Sequence, residues 1–324
     1  MVPLRWVHFR EALTLVFGKF DADTSEFLGA LDEGTRKVYS NGLSAFLTFY
    51  QSQGTIKDFL DRVEEDFLRP RREKTRVARK TLKEFVDWLQ KKGYKPKSIR
   101  VYVAAIQSEA RYFDIAITTR YVDLPTSRPV SSKYPWNIEE INRFINLFKE
   151  PIYKSLATAT VQSGLSISDL LALTYTDIKQ EYEAGITPLC FDIARIKTEI
   201  PYMSFIGTWG VEALRQHLEP SKLKIEEPLF PITDRAVREY FRRIARKFIG
   251  KWKERNPCRI HSLRAAFRTI LGDHKVEPLY IEFFMGHKVP EQQRVYVSKS
   301  RDGWRQTYKE QVEPWLTPPK GELA

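Results

Sequence analysis

Cysteine is nearly absent: the 324 residues contain two, Cys190 and Cys258, far apart and neither in a CxxC pair. That excludes a disulfide framework and the common zinc signatures, and leaves both as core thiols. No run of about 18 apolar residues exists, so no membrane partner is expected. The opening segment, MVPLRWVHFREALTLVF, does not read as a secretory signal. Arg10 and Glu11 interrupt its apolar stretch, and no small-residue cleavage site follows. Internal repeats and low-complexity tracts are also missing. The expectation is a cytoplasmic, intracellular protein without a structural metal.

Two things are plentiful. Hydrophobic residues make up 42% of the chain, enough for one large core or two ordinary ones. Positive charge is in excess, with 53 Lys and Arg against 41 Asp and Glu, a formal net charge of +12. Such an excess points to a polyanionic partner, a nucleic acid or an anionic surface, and composition alone does not choose between them.

Residues 1–114 read as helices throughout. Apolar residues recur at helical spacing in Thr35–Gln53 (Val38, Leu43, Phe46, Leu47 and Tyr50), Ile56–Leu68, Val77–Lys92 and Ser98–Phe113. Thr55 and Ser98 are expected N-caps, and Gly93 an expected stop. Residues 115–136 lose this periodicity and hold Pro125, Pro129 and Pro135, which marks a linker. Residues 137–324 are mixed. Helical segments are expected near 137–148, 152–164, 167–173, 208–218, 233–250, 261–273, 278–285 and 302–316. Residues 187–206 alternate apolar and polar side chains, as two or three short strands joined by tight turns would. The predicted architecture is mainly α: a helical domain over 1–114, a linker, and a mostly helical domain over 137–324 with a small antiparallel sheet.

The positive charge is clustered. From Arg71 to Arg100 there are twelve Lys and Arg against three acidic residues, and from Thr233 to Ile260 ten against three. Arg71, Arg72, Lys74, Arg76, Arg79 and Lys80 in the first cluster, and Arg242, Arg243, Arg246 and Lys247 in the second, are candidate phosphate contacts. Such contacts supply affinity more than sequence choice. The competing reading is a solvated helix face carrying solubility charge. Tyr240, Phe241 and Trp252 interleave the second cluster, as core contacts or as base-stacking groups.

The strongest local signal is His261-Ser262-Leu263-Arg264, then Gly286-His287, then Tyr296. Arg264 precedes Gly286 by 22 residues and His287 precedes Tyr296 by nine. These motifs, with SGLSISDLLALTYTDI at 163–178 and RIKTEIPYMSFIG around Lys197, resemble in order and spacing the tyrosine recombinases, the phage-type integrase family. The resemblance covers nearly the whole chain, with specific motifs only in the second half. It implies a helical core-binding domain followed by a catalytic domain, double-stranded DNA as partner, self-association on paired DNA sites, and no cofactor. It also implies a site-specific recombinase that cuts and rejoins DNA through a 3′-phosphotyrosyl link. By the same resemblance Tyr296 would be the nucleophile, Arg264 would clamp the phosphate, and Lys197 would protonate the leaving 5′ oxygen. His261 and His287 would donate or relay protons. Tyr308 is the rival nucleophile, at a distance from Gly286-His287 too long for the pattern.

One position departs from that pattern. The family's first box carries an arginine where this chain has Ser166, in Gly164-Leu165-Ser166-Ile167-Ser168-Asp169. Three readings stand at this point. Another cation, Arg195 or Arg268, fills the gap; or the chain kept DNA binding and lost strand exchange, acting as a repressor or accessory factor; or the serine was introduced to trap a complex. A virus, plasmid, transposon or chromosome are all compatible sources. The stretch Asp302–Trp315 has two possible uses, packing on a neighbouring copy through Trp304 and Trp315, or local core packing.

Overall fold

A computed structural model of the chain describes residues 20–126, 134–196, 199–218, 226–252, 256–290, 292 and 298–319. These form two compact units, 1–130 and 131–324, each with its own hydrophobic core. The described residues hold fourteen α-helices and one two-stranded sheet, so the expected mainly helical class with a small antiparallel sheet holds.

The first unit contains α1 (Ala22–Gly29), α2 (Glu33–Tyr50), α3 (Ile56–Leu68), α4 (Val77–Lys91) and α5 (Pro96–Tyr112). α2 lies against α5, and Gly42 allows it: a Cβ there would stand 3.0 Å from the backbone of Tyr102. An aromatic cluster of Phe46, Phe49, Tyr50, Phe59, Phe85 and Trp88 fills the space between α2, α3 and α4. Thr55 caps α3 as expected, in a reciprocal arrangement with Asp58. Two expectations fail. Ser98 lies inside α5, because Pro96 takes the first helical position and Lys95 the cap, where the missing N–H and fixed φ of proline cost nothing. Val38 is 44% exposed, since five residues from Leu43 put it about 140° around the helix from the buried face. Past α5, Ile115, Ile117 and Leu124 pack onto this same core and Val122 is buried within it.

The second unit begins with Tyr134 and Trp136 packed on its core. Its helices are α6 (Ile138–Asn146), α7 (Pro151–Ser163), α8 (Ile167–Ala172) and α9 (Lys179–Glu183), followed by strands β1 (Leu189–Ala194) and β2 (Pro201–Ile206). Next come α10 (Thr208–His217), α11 (Asp234–Ile249), α12 (Ile260–Asp273), α13 (Pro278–Phe284) and α14 (Arg301–Gln311). β1 and β2 pair antiparallel from Leu189↔Ile206 to Ala194↔Pro201. α7 is the centre of the unit and is buried from Ser155 to Ser163. Its Thr158, Thr160 and Ser163 hydroxyls donate to carbonyls one turn back, while the Ser155 hydroxyl has no hydrogen-bond partner among the described residues.

Gln162, near the end of α7, fastens the unit's C-terminal segment. Its Oε1 accepts from the Gly207 and Gly210 amides, and its Nε2 donates to the Leu316 carbonyl at 3.2 Å. Trp304 on α14 is fully buried among Tyr280, Phe283 and Phe284, so the first of the two tryptophans is a core residue. Trp315 is 39% exposed and stacks on His274. Among the described residues no helix is long and apolar enough to cross a membrane.

Candidate active site

His261 and Arg264 lie one turn apart at the start of α12. His261 is exposed, whereas Arg264 is 4% exposed. A buried guanidinium is tolerated only when its N–H groups are used. Arg264 meets this condition with backbone oxygens. Nη1 donates to the Gly164 carbonyl, and Nη2 donates to the Met285 carbonyl at 2.8 Å and contacts His287 Nε2 at 3.0 Å. Burial, and then the nearby charge of Arg195, lowers its pKa from the ordinary arginine value, and it remains a cation.

Both glycines of the two boxes are required by shape. Gly164 ends α7 with φ +64°, and a Cβ there would meet the Phe267 ring at 2.8 Å. Gly286 follows α13 with φ +65°, and a Cβ there would meet the Tyr202 ring at 2.8 Å. The left-handed turn and the close approach each demand glycine. These turns place the carbonyls that Arg264 reaches, one of them at Met285, next to Gly286.

His287 is held from both sides. Its Nδ1 contacts the Glu282 carboxylate and its amide donates to the Glu282 carbonyl at 3.0 Å. Arginine can only donate, so Nε2 accepts from Arg264 and Nδ1–H donates to Glu282, a tautomer assigned from the network. Glu282 also pairs with Arg268 at 2.6 Å.

Ser166 caps α8, its Oγ accepting from the Asp169 amide at 3.3 Å and lying 2.7 Å from Asp169 Oδ2. Asp169 is 2% exposed and reaches the strands as well, accepting from the Ile196 amide at 3.1 Å and from the Tyr202 hydroxyl at 3.2 Å. Burial, with the Asp169 charge second, raises the Tyr202 pKa well above the ordinary tyrosine range, so it stays a donor. Arg195, at the root of the β1–β2 turn, is half-buried, and its Nη1 donates to the Gly286 carbonyl at 3.1 Å. Arg195, Tyr202, Phe283, His287, Lys288 and Ser298 line one open cleft.

Of the five residues singled out for chemistry, Arg264 and His287 touch, and His261 sits one helical turn before Arg264. Lys197 and Tyr296 lie outside the described residues. Tyr308 is fully buried, with its hydroxyl donating to the Gln162 carbonyl at 2.9 Å, which is no place for a DNA-attacking group. The cysteines are buried, and burial pushes both thiols up to about 12. Glu282 went unnoticed in the sequence, because a carboxylate five residues before a histidine fits no spacing rule.

The basic candidates are placed unit by unit. In the first, Arg71, Arg72, Arg76 and Lys80 are exposed. Lys74 and Arg79 are half-buried, Lys74 over the Phe67 ring and Arg79 over the Tyr121 ring at 4.2 Å. Phe67 is itself 65% exposed beside them. In the second, Arg242, Arg243, Arg246 and Lys247 are exposed on α11, while Tyr240 and Phe241 on its other side are core residues and Trp252 packs on that core. Arg243 lies 3.6 Å from Glu150.

No family model matches the chain, and no curated protein matches it by sequence. Solved structures do. The chain is similar to XerH site-specific recombinase bound to palindromic difH substrate, in a post-cleavage complex, at 15% identity, covering 85% of this chain and 79% of that chain with a TM-score of 0.56. It is similar to a lambda integrase dimer bound to a COC' core site, at 17% identity over 84% of this chain and 90% of that one, TM-score 0.55. It is also similar to the Tn1549 transposon integrase in complex with a circular intermediate DNA, at 16% identity over 83% and 98%, TM-score 0.52. The chain has the fold of the tyrosine recombinases.

Proposed function

We propose that this chain, built on the tyrosine recombinase fold, is a DNA strand transferase that cuts and rejoins double-stranded DNA at specific sites. The observation that carries the proposal is the setting of Arg264. One buried cation joins the Gly164 turn, the Met285 carbonyl and His287, so three separate sequence boxes meet at one guanidinium.

Such a site suits phosphoryl transfer. The Tyr296 oxygen attacks phosphorus while its proton passes to a nearby base, for which His261 is the candidate, since both ring nitrogens of His287 are engaged by Arg264 and Glu282. The bond from phosphorus to the 5′ oxygen breaks, and that oxygen takes a proton from Lys197. The product is a 3′-phosphotyrosyl link and a free 5′ hydroxyl. Attack by a 5′ hydroxyl from a second end reverses these steps, breaks the link to tyrosine and joins the new strand. At the pentavalent stage negative charge builds on the non-bridging oxygens, where a pre-placed guanidinium stabilises it most. Glu282 keeps His287 oriented, and Arg264 needs no reorganisation because carbonyls already fix it. The exposed basic faces, Arg71 to Lys80 on one unit and Arg242 to Lys247 on the other, contact phosphates of the duplex. Copies of the chain assemble on paired sites, inside the cell that holds the DNA.

A second reading, a repressor or accessory factor that binds DNA without cutting it, is favoured by Ser166 alone. Incubation with a nicked suicide duplex of the attachment region separates the two. A covalent adduct that survives denaturation, and disappears in Tyr296→Phe, is expected. Tight binding with no adduct from the parent protein would establish the second reading.

A further inference from the structure

We propose that Arg195, at the root of the β1–β2 turn, is the second guanidinium that grips the phosphate; this rests on the phosphoryl-transfer reading of the same site.

A phosphodiester presents two non-bridging oxygens, and Arg264 cannot serve both. It is 4% exposed, and its two terminal nitrogens already hold the Gly164 and Met285 carbonyls and His287. Ser166 offers no charge, and its hydroxyl is occupied with the Asp169 carboxylate and amide. Of the other cations nearby, Arg268 on α12 is paired with Glu282 at 2.6 Å and so is already neutralised.

Arg195 is placed differently. It hydrogen-bonds the Gly286 carbonyl at 3.1 Å while Arg264 bonds the preceding carbonyl, Met285, at 2.8 Å. Two guanidiniums are therefore docked on successive oxygens of one turn. Like charges repel, and the charge of Arg195 adds to burial, the larger cause, in lowering the Arg264 pKa. Such a pairing costs stability unless an anion relieves it. Among the described residues no carboxylate forms an ion pair with Arg195. It is half-buried and lines the open cleft with His287, Lys288 and Ser298, and among the described residues its side chain donates to the Gly286 carbonyl and to no other acceptor, which leaves N–H groups for an incoming anion. Its position is also fixed from the first box. Asp169, three residues past Ser166, accepts the amide of Ile196, the residue after Arg195, and the hydroxyl of Tyr202 on β2. The charge absent from the start of α8 is thus supplied by a strand end that α8 itself holds in place.

The test uses the full chain and two readouts. The first is binding of orthovanadate, a tetrahedral oxyanion, to the parent, Arg195→Ala, Arg195→Lys and Arg264→Ala. Arg195→Ala is expected to weaken it at least about tenfold and Arg195→Lys less, since lysine keeps the charge and loses the fork. The second is adduct formation on the nicked duplex. Arg195→Ala is expected to slow it roughly a hundredfold or more even at saturating duplex, and Ser166→Arg added to that variant is expected to restore it. No vanadate binding by the parent, or binding that Arg195→Ala leaves unchanged, overturns the proposal. So does an adduct rate within about threefold of the parent in Arg195→Ala, and that result leaves strand transfer standing. If vanadate binding depends on Arg195 and the parent forms no adduct, strand transfer fails and the anion-gripping role of Arg195 survives.

Discussion

Glu109 on α5 is enclosed with a single partner. Thr24 donates to its Oε1 at 2.5 Å, and Oε2 has no hydrogen-bond partner among the described residues. Burial, opposed by the Thr24 hydrogen bond and reinforced by Asp21 and Asp23, pushes its pKa up to about 7. A carboxyl raised above its unfolded value adds stability that is complete below about 4.5 and is lost as pH rises through about 7. The upper bound on that loss is about 3 kcal/mol. The melting temperature of the parent should therefore fall as pH rises from about 4.5 to about 7 and level off above that, and Glu109→Gln should flatten the dependence; an unchanged slope in the variant would sink this account. At this same scale Arg264 and His287 were legible, since fixed spacings in a helix and a turn bring them together. Arg195 was legible as one of two cations for the gap at Ser166 and Asp169 as part of the first box, whereas Glu282 was not singled out. What defines Arg195 and Asp169 is a backbone oxygen or amide reached across more than twenty residues, and what defines Glu282 is the His287 ring and the Arg268 guanidinium; no residue pattern encodes these contacts.

Helices were the easiest elements to read where one face meets the core and the other meets water. α3, α4 and α11 show that alternation, and their bounds lie within a residue or two of expectation. α7 was found although it is buried on every side, and its role as the centre of the unit was not evident, because threonine and serine there look like surface residues. The short α9 was missed, being five residues with no buried face. α11 also carries a prediction. Replacing Arg242, Arg243, Arg246 and Lys247 with Gln should reduce the slope of log affinity for duplex DNA against log salt by about 3. Each lost phosphate contact removes about 0.9, and Arg243 is partly engaged by Glu150. A slope unaltered by all four changes would mean this face only meets solvent.

On the scale of the molecule, the two units have separate cores, built from residues that do not mix across residue 130. Residues 1–130 expressed alone should accordingly fold, giving a helical far-ultraviolet spectrum and one cooperative melting transition. A non-cooperative melt would show that this core depends on the rest of the chain. The second unit is closed differently, by its own C-terminal segment. Gln162 and the buried Trp304 hold that segment to α7, β2 and α13. Nothing in the sequence announced that Gln162, one amide among many, is where that closure is tied.

The guanidiniums of Arg264 and Arg195 rest on main-chain oxygens of two left-handed glycine turns, and this has a consequence for ancestry. A main-chain oxygen is present whatever side chain the residue bears, so the dock outlives drift in the residues around it. The arm that brings a cation to it is then exchangeable in principle, since a helix start and a strand end reach successive oxygens of one turn. The paired glycine turns are the more durable marker to look for.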